Sequence, residues 1–363
     1  MSTQRKWRKY IMNLKIKGRE VDYPIIQGAM GVGVSLGGLS GAVAREGAIG
    51  TISMVGIGYR EEDYYKDSMG ANKRAFKKEM KKARDISGGK GLIGANIMAV
   101  LNGYEKLVKM AVEEKVDFII SGAGLPLNLP GLVEDGDILL APIVSSARAL
   151  KLINRMWKKK YNRLPDFVVL EGSSAGGHLG FKKEEIEEGK SLEELTVELA
   201  DYLQELKEDT GEDIPFFVAG STYDGYDLKK YKGLGASGIQ IGTRFIGTDE
   251  CDADKRYKDF IVQAEEEDLA IINSPVGILG RAVDNNFLEE VEEERKPSKK
   301  CINCLEPCDP GTTRYCISDA LVNAVKGNVQ EGLVFAGSNV GRVERIEPVK
   351  DIINQIVKEY REV

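Results

Sequence analysis

A single histidine lies where an apolar segment ends and a glycine-rich segment begins. His178 is the only histidine among 363 residues, and it lies in the stretch VVLEGSSAGGHLGF, residues 168–181. An imidazole has an ordinary pKa of about 6.5 and can therefore accept or donate a proton near neutral pH. The surrounding glycines permit a tight turn and leave the ring open to a ligand. The pattern favours a catalytic or substrate-binding role for His178 over a histidine that fills a gap in the core.

Two other glycine-rich segments have the composition of a phosphate site. FVAGST and IQIGTRF each end an apolar run, and they supply Gly220, Ser221, Gly242 and Thr243. Glycines let backbone N–H groups approach an anion, and hydroxyls add hydrogen-bond donors. Either segment alone would be an ordinary glycine turn. Their pairing at the ends of the last two apolar runs predicts a phosphate site.

Four of the five cysteines lie in one short segment near the C-terminus. Their pattern is Cys301-x2-Cys304-x3-Cys308-x7-Cys316. Four thiols at such spacings can bind a tetrahedral zinc ion or a 4Fe-4S iron–sulfur cluster. The alternatives are buried free thiols, or disulfides under oxidising conditions, and the spacing does not decide between these and a metal site.

Eight short apolar runs alternate with amphipathic stretches. The runs are PIIQG, AIGTIS, GLIGANIM, FIISGAG, ILLAPIV, FVVLEG, FFVAGS and GIQIGT. Such runs are typical of parallel strands that are buried on both faces of a sheet. Helical patterns lie between them, among them YEKLVKMAVEEK and SLEELTVELADYLQELKED, the second with a capping box at Ser191 and Glu194.

This alternation predicts an α/β fold, a (β/α)8 TIM barrel with an inserted or C-terminal cap region. A doubly wound open sheet is less favoured because no early G-x-G-x-x-G opens a helix. Residues 1–250 and 346–363 are assigned to the barrel, and residues 251–345 to a cap or lid that contains the cysteine segment. Residues 59–90 are highly charged, and we expect them to form an excursion over one face of the barrel.

The charge balance narrows the classes of partner. The chain carries 51 Lys and Arg against 57 Asp and Glu, a formal net charge of -6. A nucleic acid or an anionic membrane surface would favour a strongly basic patch, so neither is an expected partner. No apolar run approaches the ~18 residues of a membrane span, and the N-terminal stretch lacks the apolar core of a signal peptide. These observations predict a cytoplasmic protein with a small-molecule substrate, and they leave a homodimer open.

Seven segments together resemble one family of flavoenzymes. PIIQGAMG, GLIGANIM, SGAGLP, EGSSAGGHLGF, VAGS, IQIGTRF and FAGSNVG occur in that family's order between residues 24 and 341. The family is that of the nitronate monooxygenases, formerly called 2-nitropropane dioxygenases, and it includes the FabK-type enoyl-acyl-carrier-protein reductases. The resemblance implies FMN bound on a TIM barrel.

The resemblance also assigns roles to individual residues. It implies that FMN is bound by Gly28, Ala29, Met30, Asn96, Glu171, Gly176, Gly177, Gly220, Ser221, Gly242 and Thr243. It implies that the substrate lies against Gly337, Ser338 and Asn339. His178 would exchange a proton with that substrate. One departure is Ser221, which stands where the family usually has a glycine.

Two activities and one non-catalytic alternative follow from the resemblance. The first is an FMN-dependent oxidoreductase of the nitronate monooxygenase type, which oxidises alkyl nitronates with oxygen. The second is a FabK-like reductase that takes hydride from NAD(P)H and reduces an enoyl thioester or another activated alkene. Glu171 resembles the second group, because many nitronate oxidisers have Gln there. A flavin-binding barrel without turnover is the third, and His178 weighs against it.

Overall fold

Eight parallel strands close into a barrel. The computed structural model describes residues 12–134, 136–298 and 300–362. The strands are β1 (Leu14–Ile16), β2 (Arg19–Val21), β3 (Ile25–Gln27), β4 (Ile49–Ser53), β5 (Leu92–Met98), β6 (Phe118–Gly122), β7 (Leu139–Val144), β8 (Val168–Glu171), β9 (Gly177–His178), β10 (Phe216–Ala219), β11 (Gly238–Ile241), β12 (Leu269–Asn273) and β13 (Leu279–Val283). The barrel order is β10-β11-β3-β4-β5-β6-β7-β8. These strands coincide with the eight apolar runs, which confirms the predicted TIM barrel.

The interior of the barrel is a packed core. Phe118, Phe167 and Phe217 meet there edge to face, with ring centroids 5.7 and 5.8 Å apart. The antiparallel β1–β2 hairpin adds Ile16 and Val21 to the same buried cluster. A filled interior leaves no room for a ligand inside the barrel, so binding is expected at the carboxyl ends of the strands.

The helices that connect the strands form the outer layer. They are α1 (Gly37–Arg45), α2 (Ser68–Ser87), α3 (Tyr104–Glu113), α4 (Leu129–Leu132), α5 (Ala147–Tyr161), α6 (Lys183–Glu188), α7 (Leu192–Thr210), α8 (Gly225–Gly233), α9 (Thr243–Ile246), α10 (Lys255–Gln263), α11 (Asn286–Glu293), α12 (Ile317–Val325) and α13 (Val349–Glu362). The predicted helices in YEKLVKMAVEEK and SLEELTVELADYLQELKED are α3 and α7. The capping box at the start of α7 forms as predicted, with Ser191 Oγ accepting from Glu194 N–H.

The charged stretch after β4 is not an excursion, which corrects the prediction for residues 59–90. Its helix α2 is the connection between β4 and β5 and packs against α1. Ala71, Phe76 and Met80 form its buried stripe, while the lysines that dominate its composition face solvent. An amphipathic helix that covers a sheet needs only one apolar stripe, so high overall charge is compatible with a place in the barrel wall.

The last helix of the chain completes the outer layer. α9, directly after the final barrel strand, has only four residues. α13 packs against α8 and α1, the helices on either side of that position. Its apolar face is buried through Val349, Ile352, Ile353 and Ile356. Across the described residues, none of the helices has the length and apolar character needed to cross a membrane.

The segment between α9 and α13 folds over the carboxyl ends of the strands. It contains β12 and β13, which form an antiparallel hairpin, and the helices α10, α11 and α12. β13 also pairs with β9, so that Gly280 lies opposite His178 and Arg281 opposite Gly177. The short strand that carries the lone histidine is therefore the edge of a sheet supplied by residues about one hundred positions later in the chain.

Candidate active site

One cavity of about 230 Å³ opens at the carboxyl ends of the barrel strands. Every predicted cofactor and substrate residue lines it, namely Gly28, Ala29, Met30, Asn96, Glu171, Gly176, Gly177, His178, Gly220, Ser221, Gly242, Thr243, Gly337, Ser338 and Asn339. Strand register brings the loops together, because Ala219 pairs with Glu171 on one side and with Gln240 on the other. The role of each residue in binding stays a prediction.

The loop after β10 has an unusual backbone. Gly220 and Ser221 have φ angles of 82° and 83°. For a residue with a side chain, such angles cost about 1–3 kcal/mol of conformational free energy, whereas glycine adopts them without this strain. This geometry accounts for the usual glycine of the family at the position of Ser221. The hydroxyl that replaces it lies 3.1 Å from Ser338 Oγ, which ties the loop to the segment that carries the predicted substrate residues.

The segment of residues 337–339 is fastened to three strand-end loops. Gly337 N–H donates to Thr243 Oγ1 at 2.9 Å. Ser338 N–H donates to Ser174 O at 3.1 Å, and the Ser338 hydroxyl lies close to Ser221. Because these bonds reach the loops after β8, β10 and β11, the segment closes one side of the cavity.

The cavity has open space and free donors for a polar ligand such as the phosphate and polar edge of FMN. A Cβ added at Gly242 would meet only Met30 Sδ, at 3.8 Å, so this backbone borders empty space. Asn339 Nδ2 is buried and has no hydrogen-bond partner among the described residues. A buried amide without a partner costs free energy, which a bound acceptor would remove. The residues present therefore fit such a ligand.

Arg244 also lines the cavity and was not singled out from the sequence. It is 3% exposed and lies just after Thr243 in the sequence IGTRF. Its guanidinium donates to Tyr223 O and Gln355 Oε1, both at 2.8 Å, and a Glu347 carboxylate oxygen lies 3.8 Å away. Its Nε is buried without a partner in the described chain. The sequence did contain a signal for Arg244, because a cationic side chain directly follows the predicted phosphate residues Gly242 and Thr243.

His178 is enclosed by the segment that follows the barrel. Its Nε2 lies 2.8 Å from Ser274 Oγ. The Phe335 ring contacts the imidazole edge to face, with centroids 5.1 Å apart. Burial lowers the pKa of His178 from 6.5 to about 4. The imidazole is therefore neutral at neutral pH and can accept a proton or donate one hydrogen bond.

Glu171 ends β8 at the wall of the same cavity. Burial raises the pKa of this carboxyl from 4.5 to about 7, and among the described residues no cation or hydrogen-bond donor offsets the loss of water. A carboxyl with such a pKa holds its proton through weakly acidic pH and releases it near neutrality. The same cavity is thus lined by a carboxyl group and an imidazole whose pKa values are displaced in opposite directions from their ordinary values.

We expect Glu171 to make the stability of the ligand-free protein depend on pH. Its pKa is raised on folding, so its stabilising contribution is complete below about pH 4.5 and is lost as pH rises through about 7. Glu171→Gln removes this titration. The melting temperature of the flavin-free variant, relative to that of the flavin-free wild type, should therefore be higher at pH 8 than at pH 5. Thermal unfolding followed by circular dichroism measures this. The exposed Glu184→Gln on α6 is the control, and an equal offset at both pH values for Glu171→Gln would contradict the expectation.

The four clustered cysteines line a separate, narrow cavity of about 20 Å³. All four are free thiols, and Cys301 is exposed. Burial, followed by the neighbouring thiols, raises the pKa of the Cys304 thiol to about 12. Within the described ranges, no three His, Cys, Asp or Glu side chains are arranged to hold a metal ion. The structure therefore gives no support to the prediction of zinc or a 4Fe-4S cluster at Cys301, Cys304, Cys308 and Cys316, which stays a prediction.

Comparison with known proteins places this site in a family. The nitronate monooxygenase family model matches residues 13–359. A probable nitronate monooxygenase of Staphylococcus saprophyticus is 28% identical over 207 residues, which cover 54% of this chain and 52% of that protein. The match thus spans about half the length of that relative. A probable nitronate monooxygenase of Staphylococcus aureus strain Newman is 26% identical over 302 residues, which cover 75% of this chain and 78% of that protein.

Solved structures agree in fold over nearly the whole chain. FabK from Thermotoga maritima superposes with a TM-score of 0.73 and 26% identity, over 94% of both chains. A nitroalkane oxidase from Streptomyces ansochromogenes superposes with a TM-score of 0.71 and 19% identity, over 94% of this chain and 96% of that one, which supports the fold alone. The family model covers both the barrel and the segment that encloses His178. The chain therefore belongs to the nitronate monooxygenase family.

Proposed function

We propose that the protein is an FMN-dependent oxidoreductase that oxidises alkyl nitronates with oxygen. The observation that carries the proposal is the neutral imidazole of His178, which lines the same cavity as the two loops suited to a phosphate. FMN, when bound, supplies the electron transfer from the substrate to oxygen. The protein's own part is to bind the substrate, hold it in place and handle protons.

Different residues of the cavity would bind the phosphate, bind the substrate and handle protons. Ser221, Gly242 and Thr243 would hold the phosphate, and the orphaned amide of Asn339 would donate to a bound acceptor. A nitronate carries a negative charge, which an ionised carboxylate nearby would repel. Glu171 keeps its proton up to about pH 7, so the site is free of that repulsion at weakly acidic pH. Neutral His178 can donate a hydrogen bond to the anion.

A FabK-like reductase is the second candidate. It is supported by Glu171, and by the structural similarity to FabK from Thermotoga maritima at 26% identity over 94% of both chains. In that case NAD(P)H would be the electron donor and an enoyl thioester or another activated alkene the acceptor. His178 would then donate a proton to the reduced substrate, which requires its pKa to rise when the ligands bind. A flavin-binding barrel without turnover is the alternative outside enzymology.

We expect the purified protein to contain FMN, and the source of its electrons decides between the activities. Mass spectrometry of the released cofactor identifies the flavin, and FAD or no flavin after reconstitution would overturn the proposal. Under anaerobic conditions the yellow protein is mixed in turn with an alkyl nitronate, NADH and NADPH. Loss of the flavin absorbance with the nitronate alone supports the first activity, and loss with a reduced nicotinamide supports the second. Free FMN treated identically is the control, and an unchanged spectrum with all three reagents supports the non-catalytic alternative.

A further inference from the structure

The imidazole of His178 is held by a turn that lies far away in sequence. Its Nε2 is 2.8 Å from the hydroxyl of Ser274, at the start of the turn between β12 and β13. The pairing of β9 with β13 brings this turn to the cavity. Ser274 is 8% exposed, so its hydroxyl is largely shielded from water. A contact of this kind between a buried hydroxyl and a ring nitrogen fixes the orientation of the ring.

The hydrogen bonds of the turn favour one direction for the hydroxyl proton of Ser274. Ser274 N–H donates to Ile278 O at 3.1 Å, and Gly277 N–H donates to Ser274 O at 2.9 Å, so the backbone of Ser274 is fixed. Val276 N–H donates to Ser274 Oγ at 3.3 Å. The hydroxyl oxygen has a second lone pair, so this bond alone does not assign its role towards the ring, but the hydroxyl hydrogen also needs an acceptor. In the described chain, the acceptor within reach is His178 Nε2.

A ring nitrogen that accepts a hydrogen bond carries no proton. In a neutral imidazole the proton is then on the other nitrogen, Nδ1. None of the described residues forms a hydrogen bond with Nδ1 of His178, although the residue lines the cavity. Nδ1–H is therefore the polar group of this ring that remains for a ligand.

We propose that Ser274 is a positioning residue, which holds His178 with Nε2 as the acceptor and so presents Nδ1–H as a hydrogen-bond donor to an anionic oxygen of the substrate. This inference rests on the proposed function of His178, and it extends that function by naming the atom and the residue that selects it. A nitronate oxygen or the carbonyl oxygen of an enoyl thioester has the acceptor chemistry that such a donor recognises. Loss of the correct tautomer leaves the ring in place but presents a lone pair where the substrate needs a donor.

Nuclear magnetic resonance tests the tautomer without reference to turnover. His178 is the only histidine of the chain, so protein made with ¹⁵N-labelled histidine and no histidine tag gives signals from a single imidazole. At neutral pH the wild type should show Nδ1 protonated and Nε2 unprotonated. Ser274→Ala should show a mixture of the two tautomers, and Ser274→Thr, which keeps the hydroxyl, should restore the wild-type pattern. A wild type with protonated Nε2, or an Ala variant with unchanged signals, would overturn the proposal.

Turnover provides the second measurement. One neutral hydrogen bond changes an equilibrium by about three- to tenfold, so kcat/KM of Ser274→Ala should fall by about that factor while the FMN content stays unchanged. Asn273→Ala, at an exposed position next to it on β12, is the control for damage to the strand and should behave as the wild type. If His178→Ala retains full turnover, the proposed function fails while the tautomer experiment still stands. If the tautomer is as proposed but Ser274→Ala turns over normally, the positioning role is excluded.

Discussion

Replacing His178 by alanine should reduce kcat by about 100- to 10,000-fold while the protein keeps its flavin. General acid–base groups contribute rate factors of this order. The imidazole contacts Ser274 and Phe335, and it forms no hydrogen bond with the loops that are suited to the phosphate. Removing it should therefore leave the flavin site intact. Steady-state kinetics, with the flavin content measured by absorbance on the same samples, separates the two effects.

A glutamine at the same position is the matched variant for this experiment. Gln can donate or accept a hydrogen bond, but it cannot take up a proton in the working pH range. If His178→Gln recovers much of the rate lost in His178→Ala, the imidazole acts as a hydrogen-bond donor. If both variants are equally impaired, it acts in proton transfer. Near wild-type kcat in the alanine variant at all pH values would show that His178 is structural.

Replacing Gly176 by alanine should weaken flavin binding. An added Cβ would lie 2.4 Å from the carbonyl carbon of Ala336 and 2.5 Å from the nitrogen of Gly337. Both are backbone atoms, so the added Cβ would have to displace the backbone of residues 336–337. Overpacking of this kind costs about 1–3 kcal/mol. The displaced segment would also lose the bond from Gly337 N–H to Thr243 Oγ1.

The affinity for FMN should therefore fall by roughly 10- to 100-fold, since about 1.4 kcal/mol corresponds to a factor of ten. Titration of the flavin-free protein with FMN, followed by fluorescence quenching, measures the change. Gly180→Ala is the matched control on the same loop, because its Cβ would make only ordinary contact with Ser145, at 3.5 Å. Equal FMN affinities for the two variants would show that the fit of residues 336–337 against Gly176 does not shape the site.

The barrel strands could be identified from the sequence because their signal is local. A strand buried on both faces must be apolar throughout, and β4, for example, is buried at all five positions. Loop residues that follow the strands are likewise constrained by backbone geometry, as Gly220 after β10 shows with its φ of 82°. Residues that follow consecutive parallel strands meet at one edge, so their grouping in one cavity was predictable once the strands were known.

Overall charge was a poor guide to the place of α2. The lysines of this helix suggested an exposed excursion, although Phe76 and Met80 were spaced to face a core. Composition averages over both faces of a helix, whereas burial depends on one stripe.

The cysteine segment shows that sequence spacing alone does not establish a metal site. The spacing of Cys301, Cys304 and Cys308 allows metal ligation, but whether side chains converge on one point depends on the path of the chain in space.

The sequence by itself determined the barrel, its strands, and the loops that line the cavity, because each depends on residues that are neighbours along the chain. Only the tertiary structure decided how His178 is held. Ser274 is 96 residues away from it and Phe335 is further still, and both reach the imidazole through the pairing of β9 with β13. A serine in a turn and a phenylalanine near a strand carry no local signal of such a contact. Burial by these distant segments lowers the pKa of the imidazole and keeps it neutral, and this burial exists only in the folded chain.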